Sequence, residues 1–196
     1  FLDLDDPIQL FKTWMDEAKK SEPNDSNAVS LATSNKNNFP SVRMVLLKDF
    51  SQNGFVFYTN LKSKKGNELK ENPKVAMCFH WKSLLRQIRI NGTVTQVADE
   101  VADKYYNSRS YESRIGAWAS KQSEELINRD QLINSIKEYK NKYNEENKVP
   151  RPSHWSGWIL SPLSIEFWLD GDNRMHERLK YTKASSGQWS KSLLSP

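Results

Sequence analysis

The stretch Val42–Asn60, VRMVLLKDFSQNGFVFYTN, decides the fold. It contains two short apolar runs, Val42–Lys48 and Gly54–Asn60, and an Asn53-Gly54 step stands between them. Asn-Gly between apolar runs is a strong hairpin signal, because both residues accept the positive φ angles of a tight turn. The stretch therefore predicts short antiparallel strands.

Further strand-like runs with turn signals between them lie on both sides of this hairpin. They are Ala28–Thr33, Val75–Trp81, Arg86–Val97, Trp158–Leu160, Ile165–Leu169 and Arg178–Thr182. Many short strands with a few inserted helices are typical of a β-barrel with peripheral helices. We therefore expect a mainly β protein that forms one domain over residues 1–196.

Helical patterns fill the segments between the strands. Asp6-Pro7 is typical of an N-cap followed by proline at the first helical position, and the helix is expected to end near Glu22-Pro23. Apolar spacing and turn signals predict three more helices. These are Ser63–Glu71, Asp99–Ser108 and Asn128–Asn144. The segment Val149–Pro152 is predicted to be a linker inside the domain.

The composition excludes several classes of protein. Cys78 is the only cysteine and the chain has three histidines, so we expect no disulfide and no metal site. No apolar run reaches about 18 residues, so no membrane span is expected. The chain opens at Phe1 without a signal-peptide pattern, and a start other than Met is compatible with a preceding segment. These features predict a cytoplasmic protein.

The net charge of +5 attracts anions such as nucleic acid, acidic lipid or phosphorylated small molecules, although a solvated lysine excess would give the same value. Arg43 and Lys48 bracket the apolar run Met44, Val45, Leu46 and Leu47, and either cation can bind phosphate. Strict alternation places the two on opposite faces of a strand. GxGxxG and GxxxxGK[ST] loops are absent, so any nucleotide-like cofactor is bound without them.

Three more segments carry candidate ligands, each with an ordinary structural alternative. Tyr58 and Thr59 end a strand ahead of a helix that starts near Lys64 and Lys65, and a helix N-terminus suits phosphate. Gln87 and Arg89 share one face of a strand. Tyr105 and Arg109 stand at helical spacing with Ser113 four residues further on, so the first two are expected to lie together.

The last candidate segment follows the aromatic strand that contains Trp168. Arg174, Met175, His176 and Arg178 come after an Asp170-Gly171 turn. The two arginines and the histidine form a cationic patch that suits an anion or a proton transfer, since histidine titrates near neutral pH. A surface salt-bridge cluster including Glu177 is the alternative.

Together these segments resemble the pyridoxine (pyridoxamine) 5′-phosphate oxidase family, from about Asp6 to Tyr181. Six ordered matches carry the resemblance. They are Arg43–Lys48, Phe57–Asn60, Arg86-Gln87, Ser113–Ser123, Ile165–Trp168 and Asn173–Arg178.

The resemblance implies a split β-barrel that binds flavin mononucleotide (FMN) between the subunits of a homodimer. The implied flavin residues are Arg43, Met44, Val45, Leu46, Leu47, Lys48, Tyr58, Thr59, Lys64, Lys65, Gln87, Gln122, Ser123, Trp168 and Arg178. The implied substrate residues are Lys48, Tyr105, Arg109, Ser113, Arg174, Met175 and His176. Of these, Arg174 and His176 are the implied catalytic pair.

The family reaction moves a hydride from C4′ of pyridoxine or pyridoxamine 5′-phosphate to flavin N5. Dioxygen then reoxidises the flavin and gives hydrogen peroxide, and the product is pyridoxal 5′-phosphate. The sequence departs from the family pattern at several positions, among them Lys64 for the usual arginine. The others are Leu169, Met175, Glu177 and the tail Lys191–Pro196.

Three alternatives stay open. A phenazine-biosynthesis oxidase shares the resemblance, but an unphosphorylated substrate has no use for Lys48 and Arg109. A carrier that stores flavin or pyridoxal phosphate would not need Arg174 and His176. A nucleic-acid binder would be colourless and would bind with a steep salt dependence. We therefore expect neither nucleic acid nor membrane as partner.

Overall fold

The computed structural model describes residues 4–196. The expectation that concerned Phe1 lies outside the described residues. The helices are α1 (Pro7–Ser21), α2 (Lys64–Glu71), α3 (Asp99–Ser108), α4 (Tyr111–Ala119) and α5 (Arg129–Lys142). The strands are β1 (Ala28–Ser34), β2 (Pro40–Leu46), β3 (Asp49–Ser51), β4 (Gly54–Asn60), β5 (Lys74–Trp81), β6 (Arg86–Gln96), β7 (Trp155–Leu169), β8 (Glu177–Lys183) and β9 (Trp189–Leu194).

Within the described residues, nine strands form one sheet whose pairs are all antiparallel. The main path runs β2-β1-β5-β6-β7-β4-β3. One edge of β7 pairs with β6, and the other edge is divided between β4 and β8. Because of this division, the sheet branches into β4-β3 at one end of β7 and β8-β9 at the other.

The core lies between this sheet and α1. The Asp6 side chain accepts a hydrogen bond of 2.9 Å from the Ile8 amide, so the predicted N-cap is confirmed. The Phe11 ring packs edge-on against Phe55 at 4.9 Å and against Phe79 at 5.3 Å between ring centroids. Burial of each such side chain contributes about 1.5–3 kcal/mol. The aromatic core fixes the sheet on which the site is built.

Two strand predictions need correction. The runs Trp158–Leu160 and Ile165–Leu169 are parts of the single strand β7, because Pro162 lies opposite Gly92 at an irregularity in the pairing with β6. A proline is tolerated inside a sheet at such a position. Strand β2 ends at Leu46, so Lys48 lies beyond it and the alternation argument about opposite faces does not apply to it.

Candidate active site

A cavity of about 450 Å³ opens where β2, β4, α3 and α4 meet. Most residues predicted for flavin or substrate phosphate line it, and we call these the cavity group. They are Met44, Val45, Leu46, Lys48, Tyr58, Thr59, Lys65, Tyr105, Arg109, Ser113 and Gln122. The wall is completed by Asn60, Gly116, Ala117, Ser120 and Trp155.

The end of β4 and the start of α2 form the polar end of the cavity. The Ser63 hydroxyl caps α2 by accepting a hydrogen bond of 3.2 Å from the Gly66 amide. A Cβ at Gly66 would lie 2.6 Å from the carbonyl oxygens of Asn60 and Leu61. Glycine therefore allows the helix to approach the strand closely, and this packing brings Lys65 into the wall of the cavity.

Lys65 is a buried cation whose partners are neutral. Its Nζ donates to Thr59 Oγ1 at 2.9 Å and to Gln122 Oε1 at 3.2 Å. Burial lowers the pKa of Lys65, and the nearby charge of Arg43 lowers it further. A buried ammonium of this kind is stabilised by an anion, so this end of the cavity suits a phosphate.

An aromatic stack forms another wall. The rings of Tyr58 and Tyr105 are stacked with centroids 4.0 Å apart, and Tyr58 also stacks on Trp155 at 5.2 Å. Burial raises the pKa of Tyr58, with a smaller contribution from Tyr105, so its phenol stays a neutral hydrogen-bonding group. The Lys48 ammonium lies 6.0 Å from the centre of the Tyr105 ring. Tyr105 and Arg109, which were predicted to lie together, both line the cavity.

Arg109 is another cation of the cavity that has no charged partner within residues 4–196. Its guanidinium lies 4.8 Å from the centre of the Trp155 ring, and its Nη1 is buried without a hydrogen-bond partner. Burial lowers the pKa of Arg109. Nearby, the Ser113 hydroxyl accepts a hydrogen bond of 2.9 Å from the Ser110 hydroxyl, which leaves the Ser113 proton free to be donated.

Seven residues of the predicted flavin set do not line this cavity, and four of them also lie away from Trp168. Arg43 donates to the Thr33 hydroxyl, to Ser41 at 2.6 Å and to the Glu68 carboxylate at 3.1 Å. Of the other three residues, Leu47 is buried in the core, and Lys64 and Ser123 are exposed on the surface.

The remaining predicted residues lie around Trp168, and we call them the Trp168 group. They are Gln87, Trp168, Arg174, Met175, His176 and Arg178. Gln87 and Arg178 flank Trp168 in register on the neighbouring strands β6 and β8. Directly opposed residues of antiparallel strands point to the same face, so these three side chains share one face of the sheet.

In the Trp168 group, Arg178 and His176 have acidic neighbours. Arg178 donates to Glu166 at 2.9 Å, and His176 Nδ1 lies 3.0 Å from Asp170 Oδ1. The ring of His176 packs on Trp168 with centroids 4.6 Å apart. The acidic partners hold Arg178 and His176 in fixed orientations on this face.

The turn that carries Arg174 has unusual backbone geometry. Asn173 and Arg174 have φ angles of 54° and 65°. Consecutive left-handed residues other than glycine are strained, and such strain concentrates at functional sites. Arg174 and Met175 are exposed at this turn, so they are available to a ligand or to another molecule.

Within one chain the two groups remain separate, because no member of the Trp168 group lines the cavity. Several residues of the cavity wall were missing from the predicted set. Asn60, Gly116, Ala117 and Ser120 fall inside the quoted motifs, which is the signal that could have found them. Trp155 lies outside every motif.

Comparison with known proteins identifies the family. The model described as Pyridoxamine 5′-phosphate oxidase matches residues 15–143, and the one described as Pyridoxine 5′-phosphate oxidase C-terminal dimerisation region matches residues 155–196. The chain belongs to the pyridoxamine 5′-phosphate oxidase family. The predicted family is therefore confirmed, and all members of the Trp168 group except Gln87 fall within the dimerisation region.

Named relatives of this oxidase family are similar over the full chain. The pyridoxine/pyridoxamine 5′-phosphate oxidase of Pelagibacter ubique strain HTCC1062 is 71% identical over 196 residues, covering 100% of this chain and 94% of the relative. The protein of the same name from Allorhizobium ampelinum strain S4 is 53% identical over 197 residues, covering 100% of this chain and 95% of the relative.

Solved structures confirm the predicted mainly β split-barrel fold. PhzG from Burkholderia lata 383, in complex with tetrahydrophenazine-1-carboxylic acid, has a TM-score of 0.92 at 29% identity and covers 100% of this chain and 95% of its own. A pyridoxamine 5′-phosphate oxidase-related, FMN binding protein from Nostoc punctiforme PCC 73102 has a TM-score of 0.79 at 14% identity, covering 97% of this chain and 98% of its own, and supports the fold alone. Among the described residues, none of the helices has the length and apolar character needed to cross a membrane.

Proposed function

We propose that this protein is an FMN-dependent pyridoxal 5′-phosphate synthase, which oxidises pyridoxine 5′-phosphate and pyridoxamine 5′-phosphate to pyridoxal 5′-phosphate. One observation carries the proposal. Three cations line the cavity, and two of them, Lys65 and Arg109, are buried or half-buried without a carboxylate partner within residues 4–196. The cofactor and the substrate each bring one phosphate, so each of the two cations has an anion to bind.

The Lys65 end of the cavity fits the FMN phosphate. A buried ammonium, the start of a helix without acidic residues in its first turn and the Thr59 hydroxyl together suit a dianion. We assign FMN binding to the full set that the resemblance implies. This set is Arg43, Met44, Val45, Leu46, Leu47, Lys48, Tyr58, Thr59, Lys64, Lys65, Gln87, Gln122, Ser123, Trp168 and Arg178.

The Arg109 end of the cavity fits the substrate phosphate. Arg109 offers unpaired N–H donors, Ser113 offers a hydroxyl proton, and Lys48 and Tyr105 lie beside them. Arg174 and His176 then position and stabilise the substrate ring at its reacting carbon, and Met175 contacts it. We assign proton handling to His176, because Asp170 and Trp168 fix the orientation of its ring.

The separation of the two groups leads us to propose a homodimer with FMN at the subunit interface. In such a dimer the Trp168 group of one subunit completes the cavity of the other. The outer face of β2 supports this, since Val42 and Met44 are 68% and 59% exposed and Met44 lines the cavity. Apolar side chains in a row on an edge strand are typical of an interface.

FMN, when bound, supplies the hydride acceptor. Dioxygen reoxidises the reduced flavin and is itself reduced to hydrogen peroxide. The protein contributes phosphate binding, orientation and charge. We also propose that residues 1–196 act as one oxidase domain and that the enzyme works in the cytoplasm without nucleic acid or membrane as partner.

A second candidate is an oxidase that acts on a phenazine precursor, because the solved structure of PhzG resembles this chain closely. The unpaired Nη1 of Arg109 argues against this candidate. An unphosphorylated substrate would leave Arg109 Nη1 without a hydrogen-bond acceptor in a buried position, and an unpaired buried donor costs about 1–3 kcal/mol.

An anaerobic absorbance titration tests the proposal. The purified protein, supplied with FMN, is mixed with pyridoxine or pyridoxamine 5′-phosphate, and air is then admitted. We expect the flavin band to bleach with substrate and to return with oxygen. A flavin band that neither substrate bleaches would overturn the proposed substrate, and a protein that takes up no FMN would overturn the flavin assignment.

A further inference from the structure

Trp155, which no sequence motif singled out, is part of the aromatic wall of the cavity. Its side chain is 7% exposed and stacks on Tyr58 and Tyr105 with interplanar angles of 9° and 10°. As the first residue of β7 it pairs with Asn60 on β4, so its backbone is fixed by the sheet. The ring is therefore a rigid surface inside the cavity.

Arg109 depends on this ring for its orientation. Arg109 is the C-cap of α3 with extended backbone, φ −77° and ψ 154°, so the helix no longer determines where its side chain points. Its guanidinium lies 4.8 Å from the centre of the Trp155 ring and 6.0 Å from that of Tyr106. Within residues 4–196 no carboxylate pairs with it. The contacts that hold the guanidinium are therefore aromatic.

Stacking leaves the hydrogen-bonding edge of an arginine free. A guanidinium that lies on a ring is held through its face, while its N–H groups remain available in the plane. A carboxylate partner would occupy the same N–H groups and neutralise the charge. The Trp155 contact therefore fixes Arg109 without competing with an incoming anion.

We propose that Trp155 is the positioning residue that aims Arg109 at the substrate phosphate and thereby sets the preference for phosphorylated over unphosphorylated substrates. This rests on the proposed function. Trp155 acts through Arg109 and takes no part in the oxidation itself.

A clamp on the other side of Trp155 supports the proposal. Arg151 donates to the Trp155 carbonyl oxygen at 2.9 Å and to the carboxylates of Asp99 and Asp103 at 2.7 and 2.6 Å. Both aspartates lie on α3, the helix that ends at Arg109. The clamp therefore ties the backbone of Trp155 to the helix that ends at Arg109, so the backbones of the two residues are held at a fixed separation.

The test is a binding ratio. Calorimetry of the FMN-loaded protein gives the affinities for pyridoxal 5′-phosphate and for pyridoxal, and their ratio measures phosphate recognition. We expect Trp155→Leu to lower this ratio about tenfold and Trp155→Phe, which keeps a ring, to preserve most of it. KM for the phosphorylated substrate rises in Trp155→Leu while kcat and FMN affinity change little. Trp118→Leu, which changes a tryptophan outside the cavity, is the matched control.

Arg109→Lys provides a second measurement that does not depend on the folding of Trp155→Leu. Lysine keeps the charge but has no planar face, so the ratio should fall about as far as in Trp155→Leu, and the double variant should fall little further. A ratio that Arg109→Lys or Trp155→Leu leaves at the wild-type value overturns the role of Trp155. A wild-type protein that binds pyridoxal as tightly as its phosphate overturns the proposed function instead.

Discussion

The cavity and the Trp168 group both contain cations, but their surroundings differ. Lys65 and Arg109 in the cavity contact neutral acceptors and aromatic rings. Arg178 in the Trp168 group is paired with Glu166, and His176 lies beside Asp170. The charge of a buried cation without a counter-ion is compensated only when an anion binds, whereas the charge of a paired cation is already compensated. This difference is the reason for our proposal that phosphates bind in the cavity and that the Trp168 group orients the substrate ring.

The largest expected effect comes from Arg174, whose exposed side chain has no carboxylate partner in the part of the chain that the structure describes. We expect Arg174→Ala to lower kcat about a hundredfold, because misplaced substrate loses the aligned geometry for transfer. FMN affinity should change less than about threefold, since Arg174 is not a phosphate ligand of the cofactor. Steady-state kinetics and a flavin titration measure the two quantities, and Arg174→Lys is the control for charge. Equal loss of turnover and flavin would contradict this assignment.

The next effect separates binding from stability at Lys65. Lys65→Met removes a buried ammonium, so we expect FMN affinity to fall about tenfold to a hundredfold. The apoprotein should melt at a higher temperature than wild type, because burial penalises the charge when no anion is bound. Flavin fluorescence and thermal unfolding of apoprotein give both values, with the exposed Lys62→Met as control. A lower melting temperature for the Lys65→Met apoprotein would show that Lys65 stabilises the fold rather than the ligand.

The sequence anticipates the fold where local signals agree with tertiary packing. The Asp6-Pro7 helix start occurs as expected. A hairpin turn occurs at Asn53, but the strand that leads into it is β3, whereas β2 pairs with β1. The break expected near Pro162 was wrong, since proline fits β7 opposite an irregularity in a strand far away in sequence. Helix α4 was not predicted because Gly116 weakens its helical pattern, and β9 was not predicted because its side chains are mostly exposed and polar.

The sequence predicted many of the residues that line the cavity, but it did not predict how their side chains contact one another. Lys64 and Lys65 look equivalent in the sequence, yet the phase of α2 exposes the first and buries the second. Trp155 had only an indirect signal, the glycine two residues further on. A Cβ at Gly157 would lie 2.7 Å from the Tyr58 ring, so glycine leaves room for the stack beside Trp155. Contacts of this kind depend on strand pairing, which one sequence does not reveal.

A smaller effect tests whether the paired charges of the Trp168 group are structural. Glu166 accepts hydrogen bonds from Arg178 at 2.9 Å and from Arg89 at 3.4 Å. Glu166→Gln leaves both arginines without their anion, so we expect the free energy of unfolding to fall by about 1–2 kcal/mol. Denaturant unfolding measures it. Glu112→Gln breaks the exposed pair with Lys140 and should cost less than about 0.5 kcal/mol. If Glu166→Gln and Glu112→Gln lower the free energy of unfolding equally, the buried pairs of Glu166 stabilise the fold no more than an exposed pair does.

The smallest effect concerns Arg43, a predicted flavin residue that the structure places among paired charges. Its partner Glu68 is buried; burial alone would raise the pKa of this carboxyl, but hydrogen bonds from Ser41, Thr33 and Arg43 bring it below its ordinary value of 4.5. The stabilisation is therefore complete above that pH, where the unfolded chain is also ionised, and is lost as pH falls through the lower folded-state pKa. The unfolding free energy of the apoprotein falls as the pH is lowered, and we call this fall the acid limb. We expect Glu68→Gln to make the fall smaller by about 1 kcal/mol.

Thermal unfolding of the apoprotein between neutral pH and about pH 3 follows this limb. The exposed Glu138→Gln should leave the acid limb as steep as in wild type, because its carboxylate lies on the solvent face of α5. If Glu68→Gln keeps the wild-type slope, the network does not hold Arg43 in the apoprotein. Arg43 would then be free to turn towards the cavity, and it would belong with Lys65 and Arg109 among the cations that depend on an anion.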